Sequence, residues 1–168
     1  LAPVVLNARL RALTRTEPAT AAKVAGSIYR NDKAPLAQRA AALRSLIDAD
    51  PAGAVEEIHA ALAGREPKFQ AVAIESVATL PIPVASASLA SRLGSYAPEV
   101  QVPLMAALGH RHDTGAIRGL LQAVASDNDD VRLAAIEALG RLPGSPEVAG
   151  KLAALAVGNS ATAKAAAA

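Results

Sequence analysis

A repeat of constant length constrains this chain more than any other feature of its sequence. Four segments align without gaps when they start 31 residues apart, at Gln38, Phe69, Val100 and Val131. Each segment carries two apolar columns, which read Leu43, Ile74, Met105, Ile136 and Leu46, Val77, Leu108, Leu139. Self-similarity with a period of about 20 to 50 residues is typical of solenoid proteins, in which each unit packs on its neighbours.

The second half of each unit keeps the same period, with columns at Ile58, Leu89, Leu120 and at Leu62, Leu93, Val124, Leu155. Alanine, the strongest helix former, is abundant throughout, and the β-branched alternation of strands is absent. Each unit is therefore predicted to be a helix A, a short turn and a helix B. The predicted helices cover residues 35–48, 51–63, 67–79, 83–94, 99–110, 114–125, 129–141 and 146–157, with no strand.

Two local features refine this prediction. The run from Asp127 to Asp130 precedes an A helix, where its side chains can accept hydrogen bonds from free N–H groups. Pro103 lies inside the third predicted A helix. We expect it to kink that helix or to delay its start, because proline lacks an N–H donor and clashes with the preceding turn.

The repeats define one predicted domain over residues 1–168. Its units cover residues 1–30, 31–65, 66–97, 98–127 and 128–158, and residues 159–168 form the start of another helix or a tail. The first unit is looser than the others. Leu10 and Leu13 match Leu43 and Leu46 only if two extra residues are absorbed near Arg30 to Lys33.

Composition narrows the function classes. The net charge is +2 with a pI of about 9.2, and the basic residues are scattered rather than clustered. Cysteine is absent, which excludes a disulfide framework and thiolate chemistry. Apolar stretches are too short to span a membrane, and no signal peptide is recognisable. Because the sequence begins at Leu1, we expect a processed or excised fragment. A cytoplasmic location is slightly favoured, although a secreted fragment also fits.

No catalytic, cofactor-binding or metal-binding constellation is predicted. His110-Arg111-His112-Asp113 offers metal or anion ligands, but the two histidines diverge, so the cluster is interpreted as a helix end and turn. His59 lies on a buried stripe and is interpreted as a half-buried packing residue rather than a general base. The neighbouring carboxylates Glu56 and Glu57 point about 100° apart on a helix and do not share a proton.

The segment from Asp129 to Leu142, DDVRLAAIEALGRL, resembles a HEAT-like repeat of the bacterial type first noted in bilin-lyase proteins. Val100 to Gly109 is similar in outline, and Gln38 to Leu46 more distantly. The resemblance implies a right-handed α-solenoid with A helices on the convex side and B helices on the concave side. Members of this family often carry an arginine ladder between repeats. Arg39 and Arg132 match it, but Gln70 and Gln101 interrupt it, so a continuous ladder is not expected.

A row of mostly small residues is predicted on the exposed side of the B helices, opposite the stripe of Val55, Ile58 and Leu62. The row is Gly53, Glu57, Ala60, Gly64, then Val84, Ser88, Ser91, Ser95, then Gly115, Gly119, Gln122, Ser126, then Gly150 and Ala153. Small side chains let another backbone approach closely, as at a docked helix. Equally, crowding between neighbouring B helices leaves no room for larger groups, and this alternative is slightly favoured.

The sequence thus predicts a non-enzymatic protein-interaction scaffold without a cofactor. Its partner is another protein or a neighbouring domain of the same chain. The candidate partner-binding residues are Glu57, Ser88, Ser91, Gln122, Gly119 and Arg118. Two alternatives stay open. One is a bilin-lyase-like accessory that cradles a cofactor or substrate, and the other is backbone-directed nucleic-acid binding, which interleaved acidic residues disfavour.

Overall fold

Every regular element in the computed structural model is helical within residues 3–81, 85–144, 146, 148–150 and 153–154, which the structure describes. The named helices are α1 (Pro3–Thr16), α2 (Pro18–Tyr29), α3 (Leu36–Ala49), α4 (Val55–Ala63), α5 (Pro67–Val77), α6 (Ser86–Ser91), α7 (Pro98–His110), α8 (Ile117–Ala123) and α9 (Asp129–Arg141). Two short 3₁₀ helices are also present. Leu93–Ser95 follows α6, and Thr114–Ala116 precedes α8.

The helices pack as neighbouring pairs in two layers. The A helices α1, α3, α5, α7 and α9 contact one another in chain order, and the B helices α2, α4, α6 and α8 lie against them. Within the B layer, α6 and α8 pack directly on each other. The fold is therefore an all-α solenoid of helix pairs, as the repeat predicted.

The predicted apolar columns form the core. Leu46, Val77, Leu108 and Leu139 are buried, as are Ile58, Leu89 and Leu120 of the B helices. In the remaining A column, Leu43 and Met105 are fully buried, while Ile74 and Ile136 are partly buried and pack against the core. Because each core residue lies between successive units, the core is a continuous strip along the stack.

Helix boundaries depart from the prediction where side chains close local turns. The Asp50 carboxylate accepts a hydrogen bond from the Gly53 N–H at 2.9 Å, so α4 begins at Val55 rather than at residue 51. Asn128 caps α9 by accepting from the Val131 N–H at 3.1 Å, within the predicted capping run. The expectation of a delayed third A helix is wrong, because α7 begins at Pro98 and continues through Pro103.

The interrupted ladder is a further correction. The guanidinium of Arg39 donates to the Tyr29 carbonyl at 2.8 Å, and that of Arg132 donates to the Ser126 carbonyl at 3.0 Å. The glutamines at the two intervening positions make the same kind of bond, Gln70 to the Gly64 carbonyl at 2.7 Å and Gln101 to the Tyr96 carbonyl at 2.6 Å. Glutamine therefore substitutes for arginine, and every A helix from α3 to α9 is tied to the end of the preceding B helix or to the segment that follows it.

Several predictions fall outside the described residues. These are the start of the helix predicted at 83–94 with Val84, most of the helix predicted at 146–157 with Leu155, and the tail at 159–168. Residues 146, 148–150 and 153–154 are helical, which agrees with the prediction there.

Candidate functional site

A concave surface on the B layer lies between α6 and α8, and we call it the B-helix groove. It comprises two adjoining cavities of about 620 and 360 Å³, which share Ser91, Gly119 and Gln122 as lining residues. Arg118 lines the smaller cavity. Arg92, Ser95 and Gln101 line the larger one, at the end where the B helices turn into the next A helices.

The structure gathers four of the six predicted partner-binding residues in this groove: Ser91, Gln122, Gly119 and Arg118. The other two lie outside its lining. Glu57 forms an ion pair with Arg30, which directly follows the preceding B helix α2, and the Ser88 hydroxyl is hydrogen-bonded to His59. The predicted set is thus split between one groove and two contacts that join neighbouring units.

The prediction that Gly119 is exposed is wrong, because Gly119 is buried at the floor of the groove. A Cβ atom on this residue would lie 2.2 Å from the Ala90 carbonyl oxygen and 2.7 Å from the Ala90 Cβ. Crowding between α6 and α8 therefore explains this glycine. It does not explain Gly150, where an added Cβ atom would meet nothing within 4 Å.

The side chains around the groove are short and mostly neutral. Ser91 and Ser95 donate their hydroxyl hydrogens to backbone carbonyls three residues earlier, each at 2.7 Å. Arg92 is held by Glu56 through two hydrogen bonds of 3.1 and 3.2 Å. By contrast, Gln122 and Arg118 are exposed, and their side chains make no hydrogen bond or ion pair to the described part of the chain. Their donors are free to meet another molecule.

A buried histidine lies beside the groove, and sequence reasoning missed its partners. His59 is 4% exposed. Its Nδ1 is hydrogen-bonded to the Tyr96 hydroxyl, and its Nε2 lies 3.0 Å from Ser88 Oγ. Burial lowers the pKa of His59, Arg92 lowers it further, and Glu56 opposes this effect. Burial also raises the pKa of Tyr96 to about 12.

A serine beside a histidine resembles part of a nucleophilic dyad, but the surroundings do not support that chemistry. A general-base histidine needs its second nitrogen against a group that stabilises the imidazolium, usually a carboxylate. Here that nitrogen faces the Tyr96 phenol, and the lowered pKa of His59 disfavours the protonated ring. We interpret the three side chains as a polar contact joining α4, α6 and the linker that follows α6.

Arg111 is the second feature that the sequence did not predict. Its side chain is 1% exposed. Its guanidinium donates to the Val77 and Leu80 carbonyls, both at 2.7 Å, and to Ser86 Oγ at 2.8 Å. A cation here offsets the negative end of α5 and satisfies carbonyls left free there. Arg111 therefore joins the turn between α5 and α6 to the end of α7.

The other residues of this cluster take helix-end and turn positions, as predicted. His110 ends α7, and His112 has a positive φ of 52° with its Nδ1 2.8 Å from the Arg141 carbonyl. The Asp113 carboxylate accepts from the Gly115 N–H at 3.0 Å. A hydrogen bond with Ser86 lowers the pKa of Asp113, and the Gly115 N–H and Arg111 add to the effect. Among the residues the structure describes, no three His, Asp or Glu side chains are grouped to hold a metal ion.

Comparison with known proteins gives one finding. Residues 86–168 match the family described as HEAT repeats, whereas no curated protein and no solved structure matches the chain. HEAT repeats commonly serve as protein-interaction scaffolds and are typically non-catalytic. None of the helices in the described ranges is both long and apolar enough to cross a membrane. The match over residues 86–168, together with the paired helices, supports a HEAT-like repeat family for this chain.

Proposed function

We propose that this chain is a non-catalytic scaffold that binds a protein partner, or a neighbouring domain of the same protein, in the B-helix groove. The proposal treats residues 1–168 as one repeat domain. The observation that carries it is the groove between α6 and α8. There the exposed side chains of Gln122 and Arg118 make no hydrogen bond to the described chain and lie beside small side chains. The bacterial bilin-lyase subtype stays a prediction.

The chemistry of the groove favours a polypeptide. The Gln122 amide offers both donors and an acceptor, which suits the N–H and C=O groups of a peptide backbone. Arg118 offers a planar fork of donors that pairs with a carboxylate. Because Ser91 and Gly119 have small side chains, the groove has room for another backbone to approach closely. We therefore expect the docked segment to carry an Asp or Glu side chain opposite Arg118.

Site-specific photo-crosslinking tests this proposal. A benzoyl-phenylalanine placed at Gln122 should crosslink to a discrete protein in extracts of the source cells. The same group placed at Ala71, which is exposed on α5 in the opposite layer, should not give that product. Adding Ser91→Arg to the Gln122 probe should remove the product, because a long side chain fills the groove. Gly119→Arg is unsuitable, since it disrupts packing with Ala90.

Each outcome has a defined meaning. A product that Ser91→Arg removes while the melting temperature is unchanged supports docking in the groove. A product that survives Ser91→Arg, or one that forms equally from Ala71, contradicts it. Crosslinking to nucleic acid rather than protein would favour the alternative of backbone-directed nucleic-acid binding.

A further inference from the structure

A second groove lies between α7 and α9 in the A layer, and we call it the A-helix groove. Its volume is about 640 Å³. The apolar part of its lining is Pro98, Val102, Pro103, Leu133 and Ala134. The remaining lining residues are three carboxylates, Glu99, Asp130 and Glu137, and the described lining includes no Lys or Arg. It is thus an apolar groove with an acidic rim on a chain whose net charge is positive.

The repeat places the two walls of this groove in register. Glu99 and Asp130 are 31 residues apart, as are Val102 and Leu133. Along α9, Asp130, Leu133 and Glu137 fall at the helical spacings of three, four and seven and share one face. Each wall therefore presents a carboxylate first and an apolar side chain one turn later.

The A-helix groove has an exposed apolar surface and carboxylates without a close basic partner in the described chain. Leu133 is 57% exposed, more than any other large apolar side chain in the described residues. The carboxylates of Glu99 and Asp130 make no hydrogen bond or ion pair with the described chain. Glu137 has only Arg141, at 4.0 Å. Three exposed or half-buried carboxylates elsewhere in the stack, Glu56, Glu57 and Glu75, are each paired with an arginine of another unit.

Helix stability accounts for only part of this pattern. Glu99 and Asp130 lie in the first turns of α7 and α9, where a negative charge is favourable. That reason does not extend to Glu137, near the other end of α9, or to the exposed Leu133. The preceding A helix also lacks the pattern, because α5 carries Lys68 and Ala71 at the positions matching Glu99 and Val102.

From this arrangement we infer that the A-helix groove binds a basic amphipathic helix of a partner protein. An apolar side chain of the partner covers Leu133 and Pro103, and its Lys or Arg side chains meet the carboxylates. Asp130 and Glu137 are about 10 Å apart along α9 at 1.5 Å per residue. Basic residues seven positions apart on the partner helix match that spacing. The acidic rim repels nucleic acids and anionic lipid surfaces. This inference does not rest on the function proposed for the B-helix groove.

A designed peptide pair tests the inference on the full chain. The first probe is a fluorescein-labelled helical peptide of Leu, Ala and Lys, with one leucine row and lysines seven positions apart. The second probe replaces each Lys with Glu. In fluorescence anisotropy titrations, the Lys peptide should bind saturably and the Glu peptide should not. Glu137→Lys should weaken binding of the Lys peptide by about tenfold, and Leu133→Ser by a similar factor.

Glu17→Lys provides the matched control, because Glu17 is an exposed carboxylate between α1 and α2. It makes the same change in net charge and should leave binding of the Lys peptide unchanged. Melting curves establish that each variant folds, and Glu99→Lys replaces any variant that does not.

Three results would overturn the inference. The first is an equal loss of binding in Glu17→Lys and Glu137→Lys, and the second is equal binding of the two peptides. The third is self-association of the chain that Glu137→Lys abolishes, because the groove would then hold a second copy. Gain of Glu-peptide binding by Glu137→Lys supports the inference further.

Discussion

The unit formed by α7 and α8 contacts its two neighbours in different ways. In the B layer, α8 packs on α6 with Gly119 against the Ala90 backbone, where an added Cβ atom would lie 2.2 Å from an oxygen. In the A layer, α7 packs on α9 with Gly109 against Ala138, where the corresponding distance to the Ala138 Cα is 3.0 Å. The helices α6 and α8 therefore approach each other more closely at Gly119 than α7 and α9 do at Gly109.

The surfaces above these contacts differ in chemistry as well. Beside Gly119 the B-helix groove carries Ser91, Gln122 and Arg118, and the described lining includes no carboxylate. Above the α7–α9 contact, the A-helix groove carries Glu137 and the exposed Leu133. The unit formed by α7 and α8 therefore contributes one wall to each of two grooves, which lie on different layers and have opposite electrostatic character. The shared period fixes the backbone, and substitutions at exposed register positions determine what each groove can bind.

The largest predicted difference between the two contacts is in the free energy of unfolding that alanine substitutions at their glycines should cost. Gly119→Ala should destabilise the chain by about 3 kcal/mol, because the new methyl group must displace the Ala90 backbone. Gly109→Ala should cost roughly 1 kcal/mol, since a few tenths of an ångström of adjustment suffice there. Urea titrations measure both values.

Gly140→Ala is the control for this series. It lies in α9, and an added Cβ atom would meet nothing within 4 Å. Because alanine favours the helix over glycine, this variant should be neutral or more stable by up to about 1 kcal/mol. Equal losses for Gly119→Ala and Gly109→Ala would contradict the difference between the contacts.

These outcomes show where sequence reasoning succeeds and where it stops. The 31-residue columns predicted the buried positions, because a fixed period forces equivalent residues such as Leu108 and Leu139 into equivalent surroundings. Helical spacing also placed Ser91 and Gln122 on one surface. It failed for Gly119, because a 100° rotation per residue describes one helix and not the distance to its neighbour.

The partners of the buried polar residues could not be predicted from the sequence for a related reason. Arg111 bonds to carbonyls 31 and 34 residues earlier, and His59 bonds to Tyr96 37 residues later. Neither pairing has a local signature, since each depends on how successive units stack. The glutamine rungs at Gln70 and Gln101 had a usable signal, namely their position in the arginine column, but only the structure shows that glutamine reaches the same carbonyl.

A smaller effect on stability should come from pH, through the buried histidine of the B layer. His59 is buried within α4, a B helix, and its pKa lies below the ordinary 6.5. The unfolded chain then binds the proton more readily, so stability is fully present above pH 6.5 and declines as the pH falls below it. The midpoint of urea unfolding should drop between pH 7.5 and 5.5, and the drop should be smaller in His59→Gln. Parallel pH curves for the two proteins would exclude this role. The lowered pKa of Asp113 affects stability only near and below pH 3.8, which lies outside the range of this measurement.

The electrostatic potential of each groove can be measured without any partner. Because the chain contains no cysteine, a single introduced thiol reports on one groove alone. Single variants Gln122→Cys and Leu133→Cys place one thiol in each groove. Their reaction rates with a cationic and an anionic methanethiosulfonate reagent report the local potential. At low salt, the ratio of cationic to anionic rate should be about tenfold higher at position 133 than at position 122, and the two ratios should converge near 1 M salt. Equal ratios at low salt, or a higher ratio at position 122, would contradict the account.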